Sequence, residues 1–307
     1  MTTLHVPATP GRDRIVSISG APYDGYPAPH MLESLARIGA THVEPAYIVG
    51  YTEPFDESSF TDERAIEYAR WLAEAGIGCH AMSSHIDLGR PDALAVFAGR
   101  MRFAARIGAK VINTNAAARA NEARFFQHIE PLARLAEQLD LVIGLENPGD
   151  GSDNLLDTAA DAQALLARIG HPRVGLNYDA GNTISHRPAV SPADDALAAM
   201  PLCLHTHVKD VQRRAEGYFF TALGEGEIGC DRILRAIATA TQGGAPDAAP
   251  LNLSIEIPMR LHRGPDAQPS RAAWRVPVAD IEARLKAALD YVRHHLTAAR
   301  QAAQPRP

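Results

Sequence analysis

The chain has 307 residues, of which 46% are hydrophobic and 21% charged, and its formal net charge is −6. This composition is typical of a folded globular protein and excludes a largely disordered or membrane-embedded chain. The negative charge and the aromatic content of 6% argue against a nucleic-acid partner, which needs basic and stacking side chains. Residues 1–14 contain no apolar signal segment, so we expect a cytoplasmic protein without a membrane partner.

Short β-rich apolar runs alternate with amphipathic helical patterns along the chain, in the following order. The runs predict eight strands, at residues 14–19, 41–46, 77–82, 109–114, 141–146, 173–179, 202–208 and 251–257. The other patterns predict eight helices, at residues 28–38, 62–75, 91–107, 122–139, 157–169, 192–199, 231–240 and 278–297. The expected helix N-caps include Thr61, Asp157 and Ser191. Eight strand–helix units predict a (β/α)8 TIM barrel in the α/β class, with an open doubly wound sheet as the structural alternative.

The whole chain, 1–307, is expected to form one domain. Its ordered barrel should span residues 12–297, and residues 298–307 should form a frayed tail. Two Gly- and Pro-rich segments, 241–250 and 259–274, are predicted to be loops on either side of the eighth strand. The second is long, and long loops after barrel strands usually carry function.

Alternation along the last four strands directs polar side chains into the barrel. Cys203, His205 and His207 share the inward direction on the seventh strand. Four inward side chains stand at strand C-terminal ends, where barrel enzymes keep their active sites. They are Glu146, Asp179, His207 and Glu256.

Three carboxylates that converge on one point repel each other unless a cation compensates them. Together with an imidazole they form an oxygen-rich ligand set that suits one divalent metal ion. We expect Mn²⁺ in the first place, with Mg²⁺, Co²⁺, Zn²⁺ or Fe²⁺ as alternatives. An ion-pair network that involves Lys209 is the competing interpretation.

Five motifs carry a family resemblance: "GLEN" with Glu146, "NYDAGN" with Asp179, "HTHVKD" with His207, "GEGEI" at 224–228 and "SIEI" with Glu256. With them the chain resembles the sugar-phosphate isomerase/epimerase superfamily, the xylose isomerase-like TIM barrels, over nearly its whole length. The resemblance implies that Glu146, Asp179, His207 and Glu256 bind one metal. It also implies that Glu146 and Glu256 are the catalytic acid and base, and that the protein is a homodimer or homotetramer.

The sequence departs from two branches of this superfamily. Asn182 stands where ketose 3-epimerases and DNA-repair nucleases carry a histidine. The fourth strand ends in Asn113 and Asn115, where the nucleases need a further histidine. These differences disfavour an AP endonuclease. The motifs specify the fold and the metal more narrowly than the substrate.

The leading prediction is a divalent-metal-dependent isomerase or epimerase of a small keto-sugar or polyol, which works through a metal-stabilised enediolate. The alternative is a metal-dependent lyase or dehydratase of an oxidised sugar or glycoside, similar to inosose dehydratase. A non-catalytic sugar-binding or partner subunit is a third possibility. The candidate substrate-binding residues are His85, Asn115, Asn182, His205 and Lys209.

Overall fold

Strands and helices alternate throughout the computed structural model, which describes residues 13–303. The strands are β1 Val16–Ser19, β2 His42–Glu44, β3 Ala46–Tyr47, β4 Gly78–Cys79, β5 Ala81–Ser84, β6 Val111–Asn115, β7 Val142–Glu146, β8 Val174–Asp179, β9 Cys203–Val208, β10 Asp210–Arg214, β11 Gly217–Thr221, β12 Asn252–Ile255, β13 Leu261–Arg263 and β14 Pro269–Arg271. The helices are α1 Ala28–Arg37, α2 Asp62–Ala75, α3 Ala93–Arg106, α4 Glu122–Gln138, α5 Ala159–Ile169, α6 Ala180–His186, α7 Pro192–Ala199, α8 Cys230–Ile237 and α9 Val278–Ala303.

Ten of these strands form one parallel sheet that closes on itself. β1 pairs with β2, β2 with β4 and β3 with β5, and the pairing continues through β6, β7, β8, β9 and β12 back to β1. Pro45 interrupts the second barrel strand and His80 the third, so each consists of two pieces. The circuit therefore has eight barrel strands, which confirms the predicted (β/α)8 TIM barrel and excludes the open sheet.

The outer helices agree closely with the sequence pattern. α2 and α7 begin and end at the predicted residues, and the Thr61 side chain caps α2 by accepting a hydrogen bond from the Arg64 N–H at 3.2 Å. The expected cap at Asp157 is wrong, because Thr158 forms a capping box with Asp161 one residue later. No helix among residues 13–303 is long and apolar enough to cross a membrane.

The predicted tail is wrong over most of its length. Helix α9 continues to Ala303, because the segment after residue 297 consists largely of the strong helix formers Ala, Arg and Gln. Residues 304–307, like residues 1–12, lie outside the described range.

A second, antiparallel sheet of four strands, in the order β10–β11–β13–β14, follows the barrel strands β9 and β12 in the chain. Two of its strands lie in 259–274, which the sequence predicted to be an irregular loop. Tyr218 pairs with Arg263 across β11 and β13, a contact between residues far apart in the sequence. Such short strands leave no local signal, since only their distant partners stabilise them. We call this unit the accessory sheet.

The hydrophobic core lies between the barrel sheet and the surrounding helices. The fully buried apolar side chains of the barrel strands that enter it include Ile143, Leu145, Leu176, Leu253 and Ile255. The alternation fails at Cys203, whose Sγ contacts the carbonyl oxygen of Ala199 in α7 at 3.4 Å instead of pointing inward. The β8–β9 register shifts at this point, so Leu204 is an extra residue, while His205 and His207 keep the predicted direction.

Candidate metal centre

Four barrel strands bring the predicted ligands to one place. Glu146 ends β7, Asp179 ends β8, His207 lies near the end of β9 opposite Asp179, and Glu256 follows β12 directly. Asp179 also caps α6, a helix that the sequence analysis missed, by accepting a hydrogen bond from the Asn182 N–H at 3.1 Å. Each of the four side chains offers a ligand atom within 4.8 Å of the others, and all four are buried.

The imidazole of His207 lies at the centre of the group. Its Nδ1 is 3.3 Å from Glu146 Oε2, 3.6 Å from Glu256 Oε2 and 3.7 Å from Asp179 Oδ2. Neither His207 Nδ1 nor Glu256 Oε1 has a hydrogen-bond partner among the described residues, although both atoms are buried. Buried polar atoms are nearly always satisfied. The unsatisfied atoms and the oxygen-rich donor set therefore fit a divalent cation.

Lys209 supplies part of the compensating charge. Its Nζ lies 2.6 Å from both Asp179 Oδ2 and Glu256 Oε2, so the ion pairs that the sequence analysis considered are present. Burial alone would lower the pKa of Lys209, but Asp179 and Glu256 raise it above its usual value. Burial alone would raise the pKa of Asp179, but Lys209 and His207 lower it. One ammonium group cannot balance three carboxylates, so the cluster keeps an excess of negative charge.

Glu146 and His207 each favour the charged form of the other, so their pKa values shift in opposite directions. Burial alone would raise the pKa of Glu146, but His207 and His85 hold it well below its usual value. Burial alone would lower the pKa of His207, but Glu146, Glu44 and Glu256 raise it well above its usual value. The field that favours a proton on His207 would equally favour a cation beside Nδ1.

Glu44, at the end of β2, holds the other side of the His207 ring. Its Oε1 lies 3.0 Å from His207 Nε2, and its Oε2 lies 3.1 Å from His205 Nε2. A carboxylate at Nε2 favours a proton there and leaves Nδ1 as the free nitrogen, the usual arrangement of a ligating histidine. Three further side chains donate hydrogen bonds to Glu44: Ser83, Asn113 and Ser254.

A cavity of about 360 Å³ opens above these carboxylates. Four predicted substrate-binding residues line it together with Glu146 and Glu256: His85, Asn115, Asn182 and Lys209. A larger open groove of about 640 Å³ lies between Trp274 and the start of α9. It contains none of the clustered ligands, so we place the site in the smaller cavity.

Two of the lining residues contact Glu146 directly. His85 Nε2 lies 3.3 Å from Glu146 Oε2, and the Asn182 side chain donates to Glu146 Oε1 at 3.1 Å. Asn115 donates weakly to the Glu146 carbonyl at 3.5 Å. The structure does not bring His205 to the cavity, because this side chain lies fully buried below His207 against Glu44.

Several residues of the site were not predicted from the sequence. Asn177 donates to Glu146 Oε2 at 2.6 Å, and its inward direction was its only sequence signal. Arg263 in the accessory sheet and Tyr51 after β3 both line the cavity. No local pattern distinguishes these two, since their position depends on strands paired across the fold.

The fold and the carboxylate–histidine cluster define a TIM barrel with a candidate metal centre at the C-terminal ends of its strands. The sequence profile of the xylose isomerase-like TIM barrel family matches residues 32–244. The chain therefore belongs to this family, as its motifs predicted. A sequence comparison with curated proteins returned no match.

Solved structures share the fold at low sequence identity. A xylose isomerase-like TIM barrel protein from Mycobacterium smegmatis, in complex with magnesium, has a TM-score of 0.68 and 18% identity, covering 93% of this chain and 97% of that one. A D-psicose 3-epimerase from Clostridium cellulolyticum H10, with D-tagatose, has a TM-score of 0.68 and 16% identity, covering 92% and 99%. A probable 3-DHS dehydratase from Bacillus anthracis has a TM-score of 0.64 and 14% identity, covering 91% and 98%.

Proposed function

We propose that the protein is a divalent-metal-dependent isomerase or epimerase of a small keto-sugar or polyol. The observation that carries this proposal is the approach of two buried glutamates, Glu146 and Glu256, to His207 Nδ1 beneath a cavity. We propose Mn²⁺ as the first metal to test, held by Glu146, Asp179, His207 and Glu256, and a homodimer or homotetramer as the assembly. The D-psicose 3-epimerase of the same fold supports this choice of reaction.

A divalent cation held there would draw electron density from adjacent carbonyl and hydroxyl oxygens and acidify the C–H bond between them. Glu146 would accept that proton, because its buried carboxylate lines the cavity. The donors from Asn177 and Asn182 hold its two oxygens in place. Glu256 follows β12 directly and would exchange a proton with the substrate from the other side.

The alternative is a lyase or dehydratase, and Lys209 is the observation that favours it. Its ammonium group lies in the cavity wall, 2.6 Å from Glu256 Oε2. A positioned ammonium group can protonate a leaving oxygen, which elimination requires and epimerisation does not. The probable 3-DHS dehydratase with this fold makes the same alternative worth testing.

Metal content tests the cluster first. Elemental analysis of the purified protein should find about one divalent metal per chain, as expected for a single ligand set. The double variant Glu146→Gln, Asp179→Asn should lose it, and Arg64→Gln on the exposed face of α2 is a matched surface control. Full activity in metal-free wild-type protein would contradict the proposal.

Incubation of metal-loaded protein with keto-sugars in D₂O, followed by NMR, separates the reactions. Deuterium on the carbon beside the carbonyl of recovered sugar supports isomerisation or epimerisation. An unsaturated or cleaved product supports the lyase. If sugars bind but none exchanges or reacts, the protein is a binding subunit and the proposal fails.

A further inference from the structure

Arg263 is a buried cation in the wall of the cavity. It lies in β13 of the accessory sheet, is only 1% exposed and ranks among the largest fully buried side chains among residues 13–303. An arginine stays charged at every physiological pH, so this position carries a permanent positive charge. Burying such a charge is costly unless a carboxylate or another anion pairs with it.

The other buried lysine and arginine side chains of residues 13–303 all have such a partner. Arg100 Nη2 lies 2.6 Å from Glu57, Arg260 Nη1 lies 2.9 Å from Asp24, and Lys209 pairs with Asp179 and Glu256. No described carboxylate forms an ion pair with Arg263. The remaining residues, 1–12 and 304–307, contain no Asp or Glu, so no side chain of the chain is left to pair with it.

Neutral groups hold the guanidinium in a fixed orientation. It donates to Asn182 Oδ1 at 2.6 Å, to Ser185 Oγ at 3.0 Å and to the Tyr51 hydroxyl at 2.9 and 3.1 Å. These bonds use four of its five N–H groups and leave one on Nη1. The Tyr51 oxygen accepts both of these bonds, so its hydroxyl proton is still available to donate to another acceptor.

The surrounding backbone leaves room for this arrangement. A Cβ atom at Gly149, which also lines the cavity, would stand 2.2 Å from the Arg263 guanidinium carbon. The Phe220 ring lies 5.4 Å from the same carbon on the accessory sheet. The chain therefore holds a permanent positive charge at the cavity in a fixed position, with one N–H group left to donate a charge-assisted hydrogen bond to a carboxylate or phosphate oxygen.

We propose that Arg263 binds an anionic oxygen group of the substrate, so that the substrate is an acidic keto-sugar and not a neutral one. This inference rests on the proposed function, and it specifies the substrate class of the same site. The anionic group of the substrate would form the ion pair with Arg263 that no described carboxylate of the chain forms. Asn182 connects the two ends of the site, because it contacts both Arg263 and Glu146.

Binding of non-reacting ligands tests the proposal on metal-loaded protein. D-gluconate and D-glucitol differ only in a carboxylate, and D-glucitol 6-phosphate offers a phosphate instead. By calorimetric titration, the preferred anion should bind wild-type protein about 10-fold to 100-fold more tightly than D-glucitol, the range for a hydrogen-bonded charge. The better of the two anions identifies the group as carboxylate or phosphate.

The Arg263→Met variant should remove this preference by lowering the affinity for the anions much more than the affinity for D-glucitol, while Arg263→Lys should keep part of it. If gluconate bound more tightly only because it chelates the metal, the anion preference would persist in Arg263→Met. Loss of the preference in this variant therefore assigns it to the guanidinium group. Tyr51→Phe, which keeps Arg263, should weaken anion binding alone and serves if Arg263→Met does not fold. Equal binding of the three ligands to wild-type protein, or an anion preference that Arg263→Met retains, overturns the proposal.

Deuterium exchange separates this inference from the proposed function. D-fructose, D-fructuronate and D-fructose 6-phosphate share a carbon chain and differ in the charge at one end. Faster exchange in an acidic sugar supports both conclusions. Equal exchange in all three supports the reaction and overturns the role of Arg263. Arg263-dependent anion binding without exchange in any sugar supports Arg263 and contradicts the reaction.

Discussion

Two neighbouring polar clusters inside the barrel differ in their charge balance. The mouth cluster consists of Glu146, Asp179, His207, Lys209 and Glu256, and the deep cluster below it consists of Glu44, Ser83, Asn113, His205 and Ser254. In the deep cluster, one carboxylate meets donors from all of its neighbours. In the mouth cluster, three carboxylates share one ammonium group. Both clusters contain buried polar atoms without a hydrogen-bond partner among the described residues, including His207 Nδ1 and Glu256 Oε1 in the mouth and His205 Nδ1 and Asn113 Oδ1 below it, so the clusters differ in charge.

The difference shows how a ligand site can be told from structural polar packing. Both clusters are buried and both contain carboxylates and imidazoles, so burial and residue type do not distinguish them. The charge balance does: a single carboxylate surrounded by donors is compensated, whereas three carboxylates with one ammonium group keep an excess of negative charge that favours a cation. His207 joins the two clusters, because Nε2 faces Glu44 and Nδ1 faces the mouth.

Asp179→Asn should cause the largest effect, because it removes a charge from the mouth cluster and leaves the deep cluster intact. Activity should fall by about three orders of magnitude with the loss of the cation's contribution. Metal affinity, measured by titration, should fall as well. Asparagine can still cap α6, so the circular dichroism spectrum should stay unchanged. Wild-type metal affinity in this variant would remove Asp179 from the ligand set.

Glu44→Gln tests whether the deep cluster positions the mouth. The substitution keeps the shape of the side chain but removes the charge that lies 3.0 Å from His207 Nε2. Losing such a partner of a ligating histidine typically weakens metal binding about 10-fold to 100-fold. Metal titration measures the change. An affinity within twofold of wild type would mean that Glu44 serves packing alone.

Strand periodicity could predict the mouth cluster because the geometry of a barrel is regular. Parallel strands end at one rim, so inward residues at the ends of β7, β8, β9 and after β12 must converge. The prediction needed only strand ends and alternation, and it survived the bulge at Leu204 because both histidines follow it. Glu44 could also be placed at a strand end, but the hydrogen bonds that converge on its carboxylate could not be foreseen.

The accessory sheet escaped prediction for the opposite reason. Its strands are three to five residues long, and Arg263 in β13 faces Tyr218 in β11 only because distant segments pair. The composition of 259–274 indicates a loop, and nothing in it shows that Arg263 is buried. The cavity wall therefore depends on tertiary contacts that local patterns do not contain.

Lys209→Met tests whether the ammonium group of Lys209 competes with the metal ion. The ammonium group competes with a cation for Asp179 and Glu256, from which it lies 2.6 Å. Its removal should therefore tighten metal binding about tenfold, by relief of like-charge repulsion, while the metal-free protein loses thermal stability. Calorimetric unfolding with and without Mn²⁺ measures both changes. Lys209→Arg, which keeps the charge, should behave like wild type in metal affinity, and weaker binding in Lys209→Met would contradict the competition.

Ser83→Ala should give the smallest effect, and it sharpens the comparison from the deep side. The serine donates a hydrogen bond to Glu44 Oε1 at 2.6 Å. Asn113 and His207 also contact this oxygen, and Ser254 contacts the other carboxylate oxygen. Losing one hydrogen bond to a charged group should lower the free energy of unfolding by about 1.5–3 kcal/mol. Because Glu44 keeps its charge, metal affinity should stay within about twofold. Chemical denaturation and metal titration measure the two quantities, and a metal affinity that falls as far as in Glu44→Gln would show that the deep cluster acts as a single unit on His207.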